Sequence, residues 1–261
     1  MAPPLQLLQA SVDEDEDSYF RFLVGGVSIK YVTITRNLYT SDDMCFEPTL
    51  VLLLPTFPLG DWNDGRISRN PQDGKPFFER VEKRTLRGVS SPWHSTTIDY
   101  LDLKLGEKLR SGVYDATCTA YSSPLVLKFA RFEWEVDAIN HETTAYQWIE
   151  GQGIGPTFYG HVSVHGRIIG FLIAKVPNAR RASLQDIVAC EKVLLKLHGL
   201  GIRHGDINRH NFLVQDGRAT LIDFDFAREG QDGRELEGEM QSLAQRLSDD
   251  SGLGGTILES S

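Results

Sequence analysis

The sequence predicts an α+β fold, because strand patterns and helix patterns occupy separate segments of the chain. Around Lys128, apolar residues at 125, 127 and 129 alternate with their neighbours, which is typical of a strand. Apolar residues recur at helical spacing over 132–146, 183–197 and 236–247. At 261 residues, the chain is long enough to bury a substantial core, as one large domain or as two lobes with an extension.

The first part of the chain combines an acidic run with strand-like segments. The run SVDEDEDS favours a disordered, solvated tail over residues 1–18. Strand-like composition at 19–24, 27–35 and 50–54 predicts a β-rich extension over residues 19–95. This extension either enlarges the sheet that follows or forms a separate cap, and it is the candidate surface for a protein partner.

Residues 197–227 hold the most informative pattern, which reads LHGLGIRHGDINRHNFLV and then LIDFDFA. Transfer of the γ-phosphoryl group of ATP needs a carboxylate at the acceptor, an amide oxygen for a metal ion and a second carboxylate for the bridging metal. Asp206, Asn211 and Asp223 supply these three groups. The spacing of Asp206 and Asn211 lets one loop aim both at the same phosphates. A predicted hairpin, with its turn at Asp216 and Gly217, brings Asp223 beside them.

These residues resemble the protein-kinase-like superfamily, with HGDINRHN as the catalytic loop and DFD in place of DFG. The resemblance implies a bilobal fold, ATP as substrate and Mg²⁺ as cofactor. It also implies that Asp206 is catalytic and that Asn211 and Asp223 bind the metal. Asp225, where the family has glycine, either adds a carboxylate to the site or restricts the motion of this segment.

Two further parts of the resemblance lie upstream. Lys128, on its predicted strand, is expected to reach the phosphates of ATP. Glu142 borders the inward stripe of the helix predicted over 132–146 and is expected to pair with Lys128. Glu135 borders the same stripe and is the alternative partner.

The nucleotide-binding segments have weaker patterns. Residues 105–112 stand where the family has a glycine-rich loop but lack the full GxGxxG pattern. Backbone amides at Gly106, Ser111 and Gly112 are the candidates for covering the phosphates, and a plain strand turn is an equally good interpretation.

The hinge is assigned by order along the chain. Residues 157–164 and 167–176 read as two strands joined by His165 and Gly166, and the second strand is expected to end in the hinge. Ala174 and Val176, with Lys175 between them, are then the candidate backbone partners of the adenine edge.

The C-terminal part is short for a protein kinase. After an N-lobe over 96–178, a minimal C-lobe is predicted over 179–261, with one amphipathic helix, no APE segment and a frayed, polar end over 249–261. A C-lobe of this extent is similar to the C-lobes of the aminoglycoside-phosphotransferase-like, RIO-like and lipopolysaccharide-kinase-like branches of the superfamily. LLPTFPLGDWN, followed by Trp93 and His94, resembles a group of short kinase-like proteins of filamentous fungi.

Composition excludes several other classes. The net charge of −9 argues against a nucleic-acid-binding surface, and the aliphatic run at 50–54 is too short to span a membrane. The three scattered cysteines fit reduced thiols better than disulfides or a zinc site. With no signal-peptide pattern, a cytoplasmic or nuclear protein without membrane partners is expected.

The sequence therefore predicts an ATP- and Mg²⁺-dependent phosphotransferase that acts on a hydroxyl of a small molecule or of one dedicated protein. A protein serine/threonine kinase is the close alternative. The degenerate glycine loop, the DFD variant and the short C-lobe favour a pseudokinase instead, whose output is binding. Slow ATP hydrolysis, with water as the acceptor, is a third interpretation.

Overall fold

The computed structural model describes residues 4–230 and 232–249, and these form an α+β structure. The chain divides into two compact units, Met1–Leu86 and Arg87–Ser261. Residues 87–95, which the sequence assigned to the extension, belong to the second unit. In that unit the Val89 N–H donates to the Ile168 carbonyl at 2.9 Å, and Trp93 Nε1 donates to the Thr143 carbonyl at 2.8 Å.

The first unit is a five-stranded sheet with strand order β1-β2-β3-β4-β5 and two short helices. Neighbouring strands are antiparallel except β3 and β4, which are parallel and are connected through the helices. Its core is rich in aromatic side chains, including Phe20, Phe22 and Trp62. The elements are β1 (Leu5–Ser11), β2 (Ser18–Val24), β3 (Ser28–Ile34), α1 (Ser41–Cys45), α2 (Glu47–Leu53), β4 (Asp64–Arg69) and β5 (Pro76–Glu82).

Two predictions for this unit are wrong. The tail predicted to be disordered contains β1, because Leu5 and Leu7 pack on the core while the acidic residues form the connection to β2. In that connection Asp13 Oδ1 accepts hydrogen bonds from two backbone N–H groups, each at 2.9 Å. The strand predicted over 50–54 is largely the second half of α2. Pro48 lies in the first turn of this helix, where proline is favoured, and leucine has good helix propensity.

The second unit begins with a six-stranded sheet of order β6-β10-β11-β9-β8-β7. Its neighbours are antiparallel except β6 and β10. Helix α3 follows the central strand β9 and contacts both β9 and β11. The strands are β6 (Thr97–Asp99), β7 (Lys104–Arg110), β8 (Val113–Cys118), β9 (Tyr121–Phe129), β10 (Phe158–Val164) and β11 (Arg167–Ala174), with α3 at Val136–Trp148. The strand and helix patterns in this region are confirmed.

The rest of the second unit is built on two helices that pack together, α4 (Ile187–Gly199) and α5 (Gly233–Ser248). Ser183 and Asp186 form a capping box before α4. The remaining strands form two small sheets, β12-β14-β15 and β13-β16. Their bounds are β12 (Arg180–Arg181), β13 (Ile202–Arg203), β14 (Phe212–Gln215), β15 (Arg218–Leu221) and β16 (Arg228–Glu229).

One buried cluster joins α3, the inner strands β10 and β11, and helices α4 and α5. Because these elements share a core, the segments between them are held in fixed positions. Of the predicted frayed C-terminal end, residues 250–261 lie outside the part of the chain that the structure describes. Within the described residues, no helix has the length and apolar character needed to cross a membrane.

Candidate active site

A cavity of about 360 Å³ lies between the six-stranded sheet and the segment that follows it. Hairpin β7–β8, strand β9, helix α3, the end of β11 and the loops flanking β14 and β15 all contribute to its lining. The structure thus gathers residues that are far apart in the sequence. The predicted site residues in the lining are Lys128, Glu142, Ala174, Val176, Asn211 and Asp223.

Asp206 and Asn211 are held together within the loop between β13 and β14. Asn211 Nδ2 donates to the Asp206 backbone carbonyl at 2.9 Å and to Asp206 Oδ2 at 3.0 Å. Asn208 Nδ2 donates to the same Oδ2 at 3.2 Å. Since the nitrogen of the Asn211 amide is engaged by Asp206, its oxygen is the group left to act as a ligand.

Lys128 lies at the centre of three carboxylates. Its Nζ pairs with Glu142 Oε2 and donates to Asp223 Oδ1 at 2.7 Å and to Asp225 Oδ1 at 2.8 Å. The structure therefore brings Lys128 and Glu142 together. Glu135, the alternative partner, instead pairs with Arg131 at 2.5 Å.

The pKa values of this cluster reflect burial and close charges. Burial favours the neutral amine of Lys128, but Glu142, Asp223 and Asp225 outweigh it and raise the pKa of Lys128 above its ordinary value. Burial raises the pKa of Glu142, and the neighbouring carboxylates add to this rise while Lys128 opposes it. Lys128 thus stays charged and serves as the counter-ion of the whole cluster.

Asp223 directly follows the hairpin of β14 and β15 and has a left-handed backbone, with φ of 70°. Arg110, from the end of β7, donates to both of its oxygens, at 2.7 and 2.6 Å. Burial tends to raise the pKa of Asp223, but Arg110 and Lys128 outweigh it and hold the pKa well below its usual range. Arg110 was not among the residues predicted from the sequence, although a basic residue just before the predicted turn of the phosphate loop was a usable signal.

The predicted glycine loop is the hairpin of β7 and β8. Gly112 makes its turn with φ of 69°, while Gly106 lies within β7 beside Asp115. The cavity lining from this hairpin comprises Leu109, Arg110 and Val113, and not the three predicted residues Gly106, Ser111 and Gly112. Side chains rather than glycine amides therefore face the cavity from this hairpin.

The predicted hinge lies at the end of β11. The Ala174 N–H donates to the Thr157 carbonyl at 2.8 Å, and the Lys175 N–H donates to the Pro124 carbonyl at 3.1 Å. These two donors are thus used within the protein. All three hinge residues, Ala174 to Val176, line the cavity.

A buried carboxylate on α5, which was not predicted from the sequence, supports the catalytic loop. Glu239 Oε1 accepts from the Gly205 N–H at 2.7 Å, and Oε2 accepts from the His204 N–H at 3.1 Å. The same Oε2 is 2.8 Å from His198 Nε2. Burial tends to raise the pKa of Glu239, but these contacts outweigh it and lower the pKa. An acidic residue four positions before Leu243 in the apolar stripe of α5 was the signal that could have identified it.

Aromatic rings connect the loop to helix α3. The ring centroid of Phe224 lies 5.1 Å from that of His204 and 5.3 Å from that of Tyr146 on α3. His204 is fully buried, its Nε2 contacts the Ile222 carbonyl at 3.1 Å, and burial lowers its pKa. His204 thus packs and orders the backbone, and Phe224 is fixed between α3 and the catalytic loop.

Oxygen ligands suited to Mg²⁺ are present at the cavity. One carboxylate cluster among the described residues has its oxygens within 4.8 Å of one another, and it comprises Glu142, Asp223 and Asp225. Lys128 contacts all three, so an ammonium group already offsets part of the negative charge of that cluster. Asn211 and Asp223 both line the cavity and offer an amide and a carboxylate oxygen, which fits a hard cation that prefers oxygen ligands.

Comparison with known proteins gives a family match over part of the chain. Residues 174–251 match the sequence model of the lipopolysaccharide kinase (Kdo/WaaP) family, and this range includes Asp206, Asn211, Asp223 and Glu239. No curated protein matches the chain. Among solved structures, the chain is similar to the kinase PK-1 of the Cydia pomonella granulovirus, with 15% identity and a TM-score of 0.38. That match covers 49% of this chain and 53% of the viral kinase, about half the length of each.

The family match spans 78 of the 261 residues, less than half of the chain. It covers the segment in which the catalytic-loop motif was found, so the resemblance stated from the sequence is confirmed for that segment. Residues 174–251 are thus similar to the lipopolysaccharide kinase (Kdo/WaaP) family of the protein-kinase-like superfamily.

Proposed function

We propose that this protein is a bilobal, ATP- and Mg²⁺-dependent phosphotransferase that transfers the γ-phosphoryl group to a hydroxyl. In this proposal the six-stranded sheet with α3 is the N-lobe and the segment after β11 is a truncated C-lobe. The observation that carries it is the convergence of Lys128, Glu142, Asn211 and Asp223 on one cavity, with Asp206 bonded to Asn211. A kinase site requires this combination of groups.

The nucleotide would lie with its base between apolar side chains and its phosphates near Lys128. Val113, Val126 and Ile173 supply the apolar lining. Because the N–H groups of Ala174 and Lys175 are already engaged, the adenine edge is left with the Ala174 carbonyl and the Val176 N–H. One hinge acceptor and one hinge donor match the donor and acceptor of adenine.

Asn211 and Asp223 would hold the magnesium ion. An ion held there would supply positive charge against the negative charge that develops on the phosphates. Lys128, held by Glu142, positions the phosphates from the opposite side. Pre-positioned charges of this kind supply much of the acceleration in phosphoryl transfer, since little covalent chemistry is needed from the protein.

Asp206 would orient the acceptor hydroxyl and take its proton. Asn208 and Asn211 both donate to Oδ2 of Asp206, so Oδ1 is the oxygen that faces the acceptor in this proposal. A second cavity of about 320 Å³ borders Asp206 and is lined by polar side chains, among them Arg203, Glu235, Ser242 and Arg246. Its size and polarity favour a small polar acceptor over a long peptide.

The pseudokinase alternative also has an observation in its favour. Arg110 and Lys128 engage both oxygens of Asp223, which leaves no free carboxylate oxygen for a metal ion unless one of these contacts changes. In that case the protein binds nucleotide weakly and transfers nothing.

Thermal unfolding with ATP separates these functions. For the phosphotransferase, Mg²⁺ and ATP together raise the melting temperature, since ligand at about 100 times Kd stabilises the folded state by roughly 2.7 kcal/mol. Asp223→Ala abolishes the rise, whereas Asp206→Asn keeps it and loses ATP turnover. Turnover is measured as ADP formed with and without a panel of hydroxyl acceptors. No rise with the unaltered protein contradicts nucleotide binding, and a rise without turnover supports the pseudokinase.

A further inference from the structure

The most unusual group at the cavity is the guanidinium of Arg110. It forms a two-pronged contact with Asp223, in which Nη1 and Nη2 each bind one carboxylate oxygen, at 2.7 and 2.6 Å. The side chain of Arg110 is 33% exposed and that of Asp223 is 14% exposed. Such planar, doubly hydrogen-bonded pairs are strong and fix the orientation of both partners.

The backbone of the hairpin aims Arg110 at this point. The register between β7 and β8 shifts between Leu105 and Lys108 and again between Lys108 and Arg110. Irregularities of this kind are common beside active sites, because they redirect a side chain out of the regular alternation. Arg110 therefore projects into the cavity from the end of a strand whose other residues are exposed.

The turn that follows Arg110 lies against the strand of Lys128. A Cβ at Gly112 would be only 2.7 Å from the Phe129 carbonyl oxygen, so the turn approaches β9 as closely as a glycine allows. The Phe129 N–H also donates to the Gly112 carbonyl at 2.9 Å. This anchoring gives Arg110 a defined position at the phosphate end of the cavity.

Arg110 and a metal ion would compete for Asp223. Both carboxylate oxygens are hydrogen-bonded, Oδ1 to Arg110 and Lys128 and Oδ2 to Arg110. A cation ligated by Asp223 needs one of these oxygens and repels the guanidinium at short range. Once displaced, Arg110 would still lie beside the phosphates of a nucleotide held by Lys128, and phosphate is a favoured two-pronged partner of arginine.

We propose that Arg110 is a phosphate-binding residue that exchanges Asp223 for the terminal phosphate of ATP when nucleotide and metal bind together. This inference rests on the proposed function. It accounts for a phosphate loop without the glycine pattern, since one guanidinium takes over contacts that glycine amides would make. Without nucleotide, the same pair lowers the affinity of Asp223 for a metal ion.

The test compares Arg110→Met with Arg110→Lys and with Lys104→Met in the full chain. Lys104 lies on the same strand, is exposed and gives the same change in net charge as Arg110→Met. Two ligands are titrated: Mn²⁺ alone, followed by electron paramagnetic resonance of the free ion, and a non-hydrolysable ATP analogue or ADP with Mg²⁺, followed by calorimetry.

Opposite changes are expected for the two ligands. Arg110→Met should bind Mn²⁺ about threefold or more tightly, because the guanidinium that competes with the ion for Asp223 is removed. It should bind the ATP analogue about tenfold more weakly, because one charge-assisted contact with the phosphate is lost. Affinity for ADP should change much less, because ADP lacks the terminal phosphate. Lys104→Met should have the same affinities as the unaltered protein. The affinities of Arg110→Lys should lie between those of the unaltered protein and of Arg110→Met, since a lysine keeps the charge but lacks the planar pair of N–H donors.

Two results overturn the inference while leaving the proposed function intact: Mn²⁺ affinity that is unchanged in Arg110→Met, or equal losses of affinity for ADP and for the ATP analogue. If Arg110→Met does not fold, Arg110→Lys tests the same two expectations through its smaller shifts. If the unaltered protein binds Mn²⁺ but no nucleotide, the proposed function fails, and the exchange with phosphate fails with it.

Discussion

Removing the carboxylate of Glu239 is expected to destabilise the catalytic loop and the unit that contains it. The side chain is 6% exposed and accepts hydrogen bonds from the backbone of Gly205 and His204, besides its contact with His198. Glu239→Ala leaves these groups buried without their partner. Each lost hydrogen bond to a charged group is worth about 1.5–3 kcal/mol. Relaxation and water entry recover part of this sum, so we expect a loss of about 3–5 kcal/mol.

The assay is urea unfolding followed by tryptophan fluorescence, in which three of the four tryptophans, Trp93, Trp134 and Trp148, report on the second unit. Glu239→Gln keeps one carbonyl oxygen as an acceptor and should lose less, about 1–2 kcal/mol. Glu237→Ala is the matched control, because Glu237 is exposed on the same helix and contacts Gln241. It should change stability by less than about 0.5 kcal/mol.

The pH dependence of the same measurement has a defined sign. The pKa of Glu239 is lowered in the folded state from its ordinary value of 4.5. Its contribution is therefore fully present above pH 4.5 and is lost as the pH falls through the folded pKa. The difference between the unaltered protein and Glu239→Gln should shrink in that acidic range. A loss below about 1 kcal/mol for Glu239→Ala at neutral pH would refute the reasoning.

Three further outcomes are expected. Lys128→Met should lower ATP turnover by at least about 100-fold in a coupled assay, because three carboxylates then lose their common counter-ion, and unchanged turnover would contradict the site. Gly112→Ala should cost about 1–3 kcal/mol more in urea unfolding than Gly166→Ala. Both glycines have a positive φ, but of the two only Gly112 would place a Cβ against a β9 carbonyl oxygen, at 2.7 Å. Equal losses of stability in the two variants would argue against that close approach. Burial raises the pKa of Cys190 to about 12, so a thiol reagent at pH 8 should label exposed Cys45 first and reach Cys190 only after unfolding.

The sequence was sufficient for the strands β9 to β11 and for helices α3 to α5 of the second unit, because local patterns and the buried core agree there. The alternation around Lys128 corresponds to β9, and the stripe over 132–146 corresponds to α3 with Glu142 on its buried face. In the first unit, the local sequence patterns and the buried core disagreed. The acidic run suggested disorder, while the apolar residues before it pair with β2. The leucines at 50–54 fitted a strand as well as a helix, since a short apolar run has no distinctive period.

Order along the chain also determined which residues belong to the site. The spacing of Asp206, Asn211 and Asp223 is a local property of one loop and one hairpin, so it is readable without tertiary structure. Contacts that cross the fold are different, since they depend on which elements pack together. Arg110 and Asp223 are 113 positions apart, and Glu239 reaches the catalytic loop from a helix about 34 positions later.

The sequence by itself determined which candidate site groups this protein carries: a strand lysine, a helix glutamate and a loop with an aspartate and an asparagine at a spacing that resembles that of a phosphotransfer site. Only the tertiary structure decided how these charges are balanced. The core brings three carboxylates, Lys128 and Arg110 into one partly buried cluster, where each group's protonation and partner depend on all the others. Electrostatic coupling at distances of a few ångströms is a property of the packed fold, so no linear pattern encodes it.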